Sequence, residues 1–262
     1  MSEPRIAYAG DRDISVWVLE YLLNQGVRPL ALLVSDSGRA THDSILVNMC
    51  PFLDETHILC GKAFREPPGL ELLRGLDLDY VIGIHFPYIV PEAVLQIPRF
   101  GVLNLHPALL PYNRGWHTPI WAILEGTPIG ATLHFMDAGV DTGDIVHQKC
   151  LEVSPGDTAN SLYHRLKRLE LETFQEAWPQ IAAGSYRRQP QDGLVGTEHK
   201  RQELFQESVQ RLDLDTPVSP GELLRRLRAL TTNAIAEAAY YDCDGKRYRV
   251  QVQITEEEIP GE

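Results

Sequence analysis

Short β-branched runs alternate with stretches at helical spacing through about residue 185. The run Arg5–Gly10 predicts a buried strand. Ile14–Asn24 follows as a helix, with Ile14, Val18, Leu19 and Leu22 on one face, Asp13 as its N-cap and Gly26 just past its end. Strands are predicted at Leu30–Asp36, more weakly at Thr56–Cys60, and strongly at Asp79–Phe86 and Phe100–Pro107. Helices are predicted at Glu66–Gly75 and Thr118–Leu124. Gly130–Val153 reads as two strands around a loop rich in Gly and Asp, and Asp157–Ala183 as a long amphipathic helix with Leu162, Leu166, Leu169, Phe174 and Ala177 inward. Strand–helix alternation of this kind implies an α/β fold: a mostly parallel sheet with helices on both faces, binding its ligands at the carboxyl ends of the strands.

The pattern changes near Tyr186, where the polar, turn-rich RRQPQDG begins. A division into residues 1–185 and a smaller α+β subdomain, 186–262, is expected. The tail predicts a helix at Pro220–Leu230 and a hairpin alternating on both sides of Asp244 and Gly245. Strands such as Arg247–Gln253 offer an edge for pairing between subunits, so a homodimer is expected. TEEEIPGE, from Thr255, predicts a frayed acidic end.

Charge narrows the function. The formal net charge of −12 argues against a nucleic-acid partner, whose affinity comes largely from phosphate neutralisation. No apolar run reaches the length that spans a bilayer, and MSEPRIAYAG lacks a signal-peptide pattern, so a cytoplasmic protein is expected. The four cysteines form no CxxC pair, and no ligand spacing points to a metal. GDRDIS after the first strand lacks the glycines of a dinucleotide fingerprint, and there is no Walker sequence.

Chemistry concentrates in GVLNLHPALLP, Gly101–Pro111. Asn104 and His106 alternate on one strand and therefore share a side, just before Pro107. An amide NH2 can donate to a carbonyl oxygen as it becomes an oxyanion. An imidazole can do the same when protonated, or take a proton from an attacking amine. Alone, the pair equally describes a strand end with two satisfied polar residues. Asp141, in GVDTGDI, can pair with His106 and fix its tautomer, though Asp-Thr-Gly also occurs in ordinary turns.

Together, NLHPALLP (Asn104–Pro111), Arg114-Gly115 and GATLHFMDAGVDTGDIV (Gly130–Val146) resemble the formyltransferase superfamily that uses N10-formyltetrahydrofolate. The resemblance implies a Rossmann-like catalytic domain over residues 1–185. It implies a catalytic trio of Asn104, His106 and Asp141, in which Asn104 and His106 stabilise the oxyanion and Asp141 collects the amine proton. It also implies a pterin pocket between the loop after the fourth strand, with His85, Phe86 and Ile89, and the loop before the catalytic Asp, with Met136, Asp137 and Val140. Leu110 and Pro111 would form part of the wall. Ordinary core packing is the alternative for Phe86, Ile89 and Met136. Phe86-Pro87-Tyr88 departs from the smaller residues expected in the tRNA-formylating members.

Among acceptor amines, a nucleotide-linked amino sugar fits best. YNRGWHTPIWAI (Tyr112–Ile123) and GTEHKRQEL (Gly196–Leu204) resemble the sugar N-formyltransferases. Trp116 would flank a sugar or base, His199 lies in the TEHK step, and Arg12, Lys62 and Lys200 would meet a diphosphate. Loop packing and solvated surface are the alternatives for these residues. The tRNA-formylating enzyme is expected to be longer and to carry a basic C-terminal domain, whereas this tail holds more Asp and Glu than Lys and Arg. A methionyl-tRNA formyltransferase-like enzyme, formylation of a natural-product amine, and a folate- or nucleotide-binding regulatory module without catalysis stay open.

Overall fold

A computed structural model describes residues 3–36, 38, 40–191, 193 and 195–258. The chain begins β1 (Ile6–Gly10), α1 (Arg12–Asn24), β2 (Ala31–Val34), α2 (Asp43–Met49) and β3 (Ile58–Cys60). It continues with α3 (Pro67–Gly75), β4 (Tyr80–Ile84), α4 (Glu92–Leu95), β5 (Gly101–His106), β6 (Arg114–Gly115) and α5 (Thr118–Glu125). Next come β7 (Ile129–Phe135), β8 (Ile145–Leu151), α6 (Ala159–Ala182) and β9 (Glu198–His199). The tail holds α7 (Glu207–Gln210), α8 (Pro220–Ala229) and a hairpin of β10 (Ala239–Cys243) and β11 (Lys246–Val250). No helix among the described residues is long and apolar enough to cross a membrane.

The contacts divide the chain into two units that do not follow a single cut near residue 185. One unit is Met1–Pro107, Ala131–Lys149 and Arg168–Leu194; the other is Ala108–Gly130, Cys150–Lys167 and Val195–Glu262.

The first unit is built on a seven-stranded sheet in the order β3-β2-β1-β4-β5-β7-β8. The ladders from β3 through β5 are parallel, and β7 runs antiparallel to β5. Alternation along each strand serves two cores. One face carries Tyr8, Ile82, Leu103, Leu105 and Leu133, packed with Leu19 of α1 and Phe174 and Trp178 of α6. The other carries Ala7, Ala9, Leu33, Val81 and Val102, packed with Phe64, Leu73 of α3 and Tyr88.

The strands and long helices lie where periodicity predicts them, with ends that differ by a residue or two. The cap of α1 is a correction. The helix starts at Arg12, and Asp11 rather than Asp13 caps it, accepting from the Arg12 N–H. Asp13 instead lies in the first turn, where a carboxylate suits the helix dipole. Asp11 is also the hub of the loops at the carboxyl ends of β1 and β2. Its Oδ1 accepts from Arg12 N at 2.8 Å, Thr41 N at 3.0 Å, Thr41 Oγ1 at 2.7 Å and His42 N at 3.1 Å. Its Oδ2 accepts from Ser35 Oγ at 3.0 Å. Burial pushes the Asp11 carboxyl up, but the bonds from Thr41, Arg12 and His42 outweigh it and hold the group below the usual carboxylate range.

The second unit packs its own core from Ile120, Ala122 and Ile123 of α5, Leu162 and Leu166, Leu204, Ala229, Leu230 and Ala239. Asp157 joins the start of α6 to the tail. Its carboxylate accepts from Ser154 N, Ser161 Oγ and Arg165 Nη1, while Arg228 of α8 donates to the Asp157 and Ser154 carbonyls. The hairpin turns where expected: Asp244 and Gly245 both have positive φ, 50° and 70°, as a tight two-residue turn requires. Tyr241 and Tyr248 are paired across it and stack at 5.2 Å. Residues 255–258 of the acidic end are exposed and without regular structure, and 259–262 lie outside the described residues.

Candidate active site

The site begins with register. Val102, Asn104 and His106 share a face of β5. Val102 is core, so this face passes from apolar to polar at the carboxyl end of the strand. Asn104 is paired with Gly83 of β4 on one side and with His134 of β7 on the other; His106 is paired with Thr132. Gly83 leaves space for Met136, whose Cε would lie 3.2 Å from a Cβ there.

Asp141 arrives from the β7–β8 loop. The loop is shaped by Asp137, whose Oδ1 accepts from Gly139 N at 3.0 Å and Thr142 Oγ1 at 2.6 Å. Gly143 passes so close to the Phe135 carbonyl that a Cβ would meet its oxygen at 2.0 Å. Asp141 itself has φ of 52°, a region that costs a non-glycine residue energy and clusters at functional sites.

Three carboxylate distances define the centre. Asp141 Oδ2 is 3.6 Å from His106 Nδ1. Asp141 Oδ1 is 3.3 Å from Asn104 Nδ2 and 3.5 Å from His134 Nε2. His106 is 6% exposed and the Asp141 side chain 15%, so the group is shielded but reachable. Asn104 Nδ2 also lies 3.0 Å from His134 Nε2. The NH2 expected to serve an oxyanion therefore already faces the Asp141 carboxylate and the His134 ring.

The trio of Asn104, His106 and Asp141 thus converges, with two additions. His134 drew no attention in the sequence, because its place depends on cross-strand pairing. Gln191, buried in the polar RRQPQDG segment, holds the Asp141 loop by its backbone.

The loop after β4 carries the residues expected to meet a pterin. His85 has φ of 51°, and its Nε2 is 2.7 Å from Oε1 of Glu170, a fully buried carboxylate of α6. Phe86 packs edge-on against Phe64 at 5.3 Å and tilted against Tyr88 at 5.1 Å. Ile89 is 83% exposed and Val140 49%, leaving apolar surface uncovered on both loops. Met136 is half-buried against the second core and Asp137 is exposed. Arg12, with φ of 67°, and Lys62 are exposed.

In the second unit Leu110 is buried and Pro111 half-buried. The TEHK step forms a short parallel ladder with the Arg114-Gly115 step, β9 on β6. Gly115 has φ of 88°, and a Cβ there would lie 2.4 Å from the His199 carbonyl oxygen. Trp116 is 44% exposed, with the Arg201 guanidinium 5.2 Å over its ring. His199 is engaged within the protein: it stacks on Trp121 at 4.1 Å, with Nε2 3.3 Å from Glu125 and Nδ1 3.5 Å from Glu203. Lys200 is exposed. His117, which precedes α5, lies 3.6 Å from Glu237; burial, with the nearby Arg201 charge, holds its imidazole below the ordinary value despite Glu237. No group of three or more His, Cys, Asp or Glu among the described residues could hold a metal ion.

Comparison with known proteins gives the family of the chain. Residues 35–178 match the formyl transferase family, and residues 206–256 match an N-formyltransferase dimerization C-terminal domain. The chain belongs to the formyl transferase family. A methionyl-tRNA formyltransferase of Geobacter metallireducens is 30% identical over 195 residues, 72% of this chain and 63% of that protein. The match thus spans less than two thirds of that relative's length. A dTDP-4-amino-4,6-dideoxyglucose formyltransferase of Mycobacterium tuberculosis is 33% identical over 184 residues, 70% of this chain and 76% of that protein. Among solved structures, a 4-N formyltransferase from Francisella tularensis shares the fold, with a TM-score of 0.80 at 22% identity over 97% of this chain and 98% of that one.

Proposed function

We propose that this protein transfers a formyl group from N10-formyltetrahydrofolate to the amine of a nucleotide-linked amino sugar. The convergence of Asn104, His106 and Asp141 at the carboxyl end of β5 carries the reading. Acyl transfer to an amine needs a group that stabilises the developing oxyanion and a group that accepts the amine proton. His106 supplies the first when protonated. Asp141 orients its ring from 3.6 Å and receives the proton that the amine gives up. The exposed Ile89 and Val140, with half-buried Phe86 and Met136 on the same two loops, suit one side of a flat pterin. His85 and Asp137 are proposed to complete that pocket.

The acceptor is inferred from the second unit. Exposed Trp116 with Arg201 over its ring offers a platform for a base or sugar. Lys200 of the same unit is an exposed cation suited to a diphosphate. The tail from Tyr186 is more acidic than basic, which favours a small anionic acceptor over RNA. The M. tuberculosis relative supports a dTDP-linked substrate. The 30% identity to methionyl-tRNA formyltransferase keeps initiator tRNA as the second reading. The match of residues 206–256 supports pairing of two chains.

Incubation with N10-formyltetrahydrofolate and a panel of dTDP-, UDP- and GDP-linked amino sugars tests the proposal, read by mass spectrometry of the sugar. A formyl increment on one sugar is expected. Turnover only with initiator methionyl-tRNA would overturn the acceptor but keep the chemistry; turnover with neither would overturn both.

A further inference from the structure

Asn104 and His134 face each other across the antiparallel β5–β7 pair, and directly opposed side chains lie on one face of a sheet. His134 is buried, its side chain 1% exposed. Its Nδ1 is 2.8 Å from the Phe135 carbonyl oxygen. A carbonyl oxygen only accepts, so Nδ1 carries a proton; with that one proton on the ring, Nε2 is an acceptor. That acceptor lies 3.0 Å from Asn104 Nδ2, and a second, Asp141 Oδ1, lies 3.3 Å from the same atom. Two acceptors around one amide group decide its orientation. The NH2 sits between them, and Oδ1 turns away from both. The reversed amide would set its oxygen against a carboxylate and a ring lone pair, each interaction repulsive.

We propose that His134 is a positioning residue: by accepting from Asn104 it locks the amide so that the carbonyl oxygen, not the NH2, is presented to the attacking amine. The proposal rests on the formyl-transfer reading. It gives Asn104 a different task from the one implied by resemblance. Oδ1 accepts an N–H of the amine and points the nitrogen lone pair at the formyl carbon. As the new C–N bond forms, the nitrogen becomes positive and its N–H a stronger donor. The hydrogen bond therefore tightens toward the transition state, the condition under which an interaction accelerates a reaction. The tetrahedral oxygen falls to His106. On collapse the bond from the formyl carbon to N10 breaks and its electron pair stays on N10. N10 gains one proton, and the amine nitrogen loses one to the His106–Asp141 side.

The test combines a spectrum with two variants. Long-range proton–nitrogen correlation on protein labelled with 13C and 15N should show His134 as a single Nδ1–H tautomer at neutral pH, its ring assigned by through-bond correlation with its own backbone. Steady-state kinetics should show His134→Leu lowering kcat about tenfold, the worth of one hydrogen bond, while KM for N10-formyltetrahydrofolate stays within about twofold. His134→Gln offers a carbonyl oxygen where Nε2 stood and should recover part of that loss. An Nε2–H tautomer, wild-type kcat in His134→Leu, or no advantage of Gln over Leu in variants that fold normally would overturn the proposal. If neither variant folds, the tautomer in the wild type decides. Formyl transfer by the wild type is measured first; its absence sinks the formyl-transfer reading, whereas an Nε2–H tautomer in an active enzyme sinks the positioning role alone.

Discussion

Gln191 holds Asp141 by its backbone: its side-chain NH2 donates to the Asp141 carbonyl at 3.1 Å and to the Gly143 carbonyl at 2.6 Å. Gln191 is 4% exposed, so neither bond is readily replaced by water. The loop it clamps bends through an Asp141 with positive φ. Gln191→Ala removes both donors and leaves two carbonyls short of a partner, at about 1–3 kcal/mol. We expect that loss in urea unfolding, together with a fall in kcat larger than any change in KM for the folate. Gln191→Glu sets a carboxylate against two carbonyl oxygens and should be worse on both counts.

In the proposed mechanism His106→Ala removes the donor to the oxyanion and should lower kcat by on the order of 10²–10³. Asn104→Ala should also lower kcat strongly, because the amine loses its acceptor. Neither side chain fills core volume, so folate affinity measured by fluorescence quenching should change little. Turnover near wild type in both would remove the trio from the chemistry.

Much of this was legible in the sequence, and the exceptions share a cause. The strands stood out because fully buried β-branched runs such as Tyr80–Ile84 are hard to mistake. The trio was legible through the resemblance that NLHPALLP and GATLHFMDAGVDTGDIV carry; the alternation of Asn104 and His106 and the glycines around Asp141 describe an ordinary strand end and turn equally well. The helix Asp43–Met49 was not legible: it buries only Leu46 and has no side-chain cap, so it shows little periodicity. The reversal of β7 against β5 was also hidden, since strand direction is set by the connections and not by composition. His134 and Gln191 act through register and through a fold-back from distant sequence. The division into units was unreadable for the same reason. Segments 108–130 and 150–167 join the tail through contacts such as Arg228 with Asp157, which no local composition announces.

Asp11 should make stability depend on acid. Its carboxyl titrates below the usual range in the folded protein, held there by Thr41, Arg12 and His42. A depressed folded value contributes stability that is present above the unfolded carboxylate value of about 4 and is lost as pH falls through the folded one. Asp11→Asn keeps the shape and removes the charge. The wild type should therefore exceed the variant in unfolding free energy at neutral pH, and the gap should close as pH falls below about 4. A gap that stays constant with pH would show that the charge contributes nothing.

Pairing of chains is expected through the segment that matches the dimerization domain, residues 206–256. It carries exposed Leu224 at 53% and Tyr248 at 43%, apolar surface of the kind interfaces cover. Light scattering at micromolar concentration should give the mass of two chains. Leu224→Glu, at an already exposed position, should shift the distribution toward one chain while leaving the far-UV circular dichroism spectrum unchanged. A single-chain mass for the wild type would refute the pairing.

Gly115 is a position of the second unit that tolerates little change. Its φ of 88° is a region that side chains rarely adopt, and a Cβ would lie 2.4 Å from the His199 carbonyl oxygen. That carbonyl accepts from the Trp116 N–H at 3.0 Å, and the Thr197 carbonyl accepts from the Arg114 N–H at 2.9 Å. Gly115→Ala must therefore push β9 away from β6 or strain the backbone, and either weakens both bonds. Hydrogen exchange should report it locally, with faster exchange at the Arg114 and Trp116 amides, while the amides of β1 and β4 keep their protection. If Trp116 carries part of the acceptor site, KM for the acceptor should rise while affinity for the folate is unchanged. Unaltered exchange at Trp116 would show that the ladder bends to admit the methyl group.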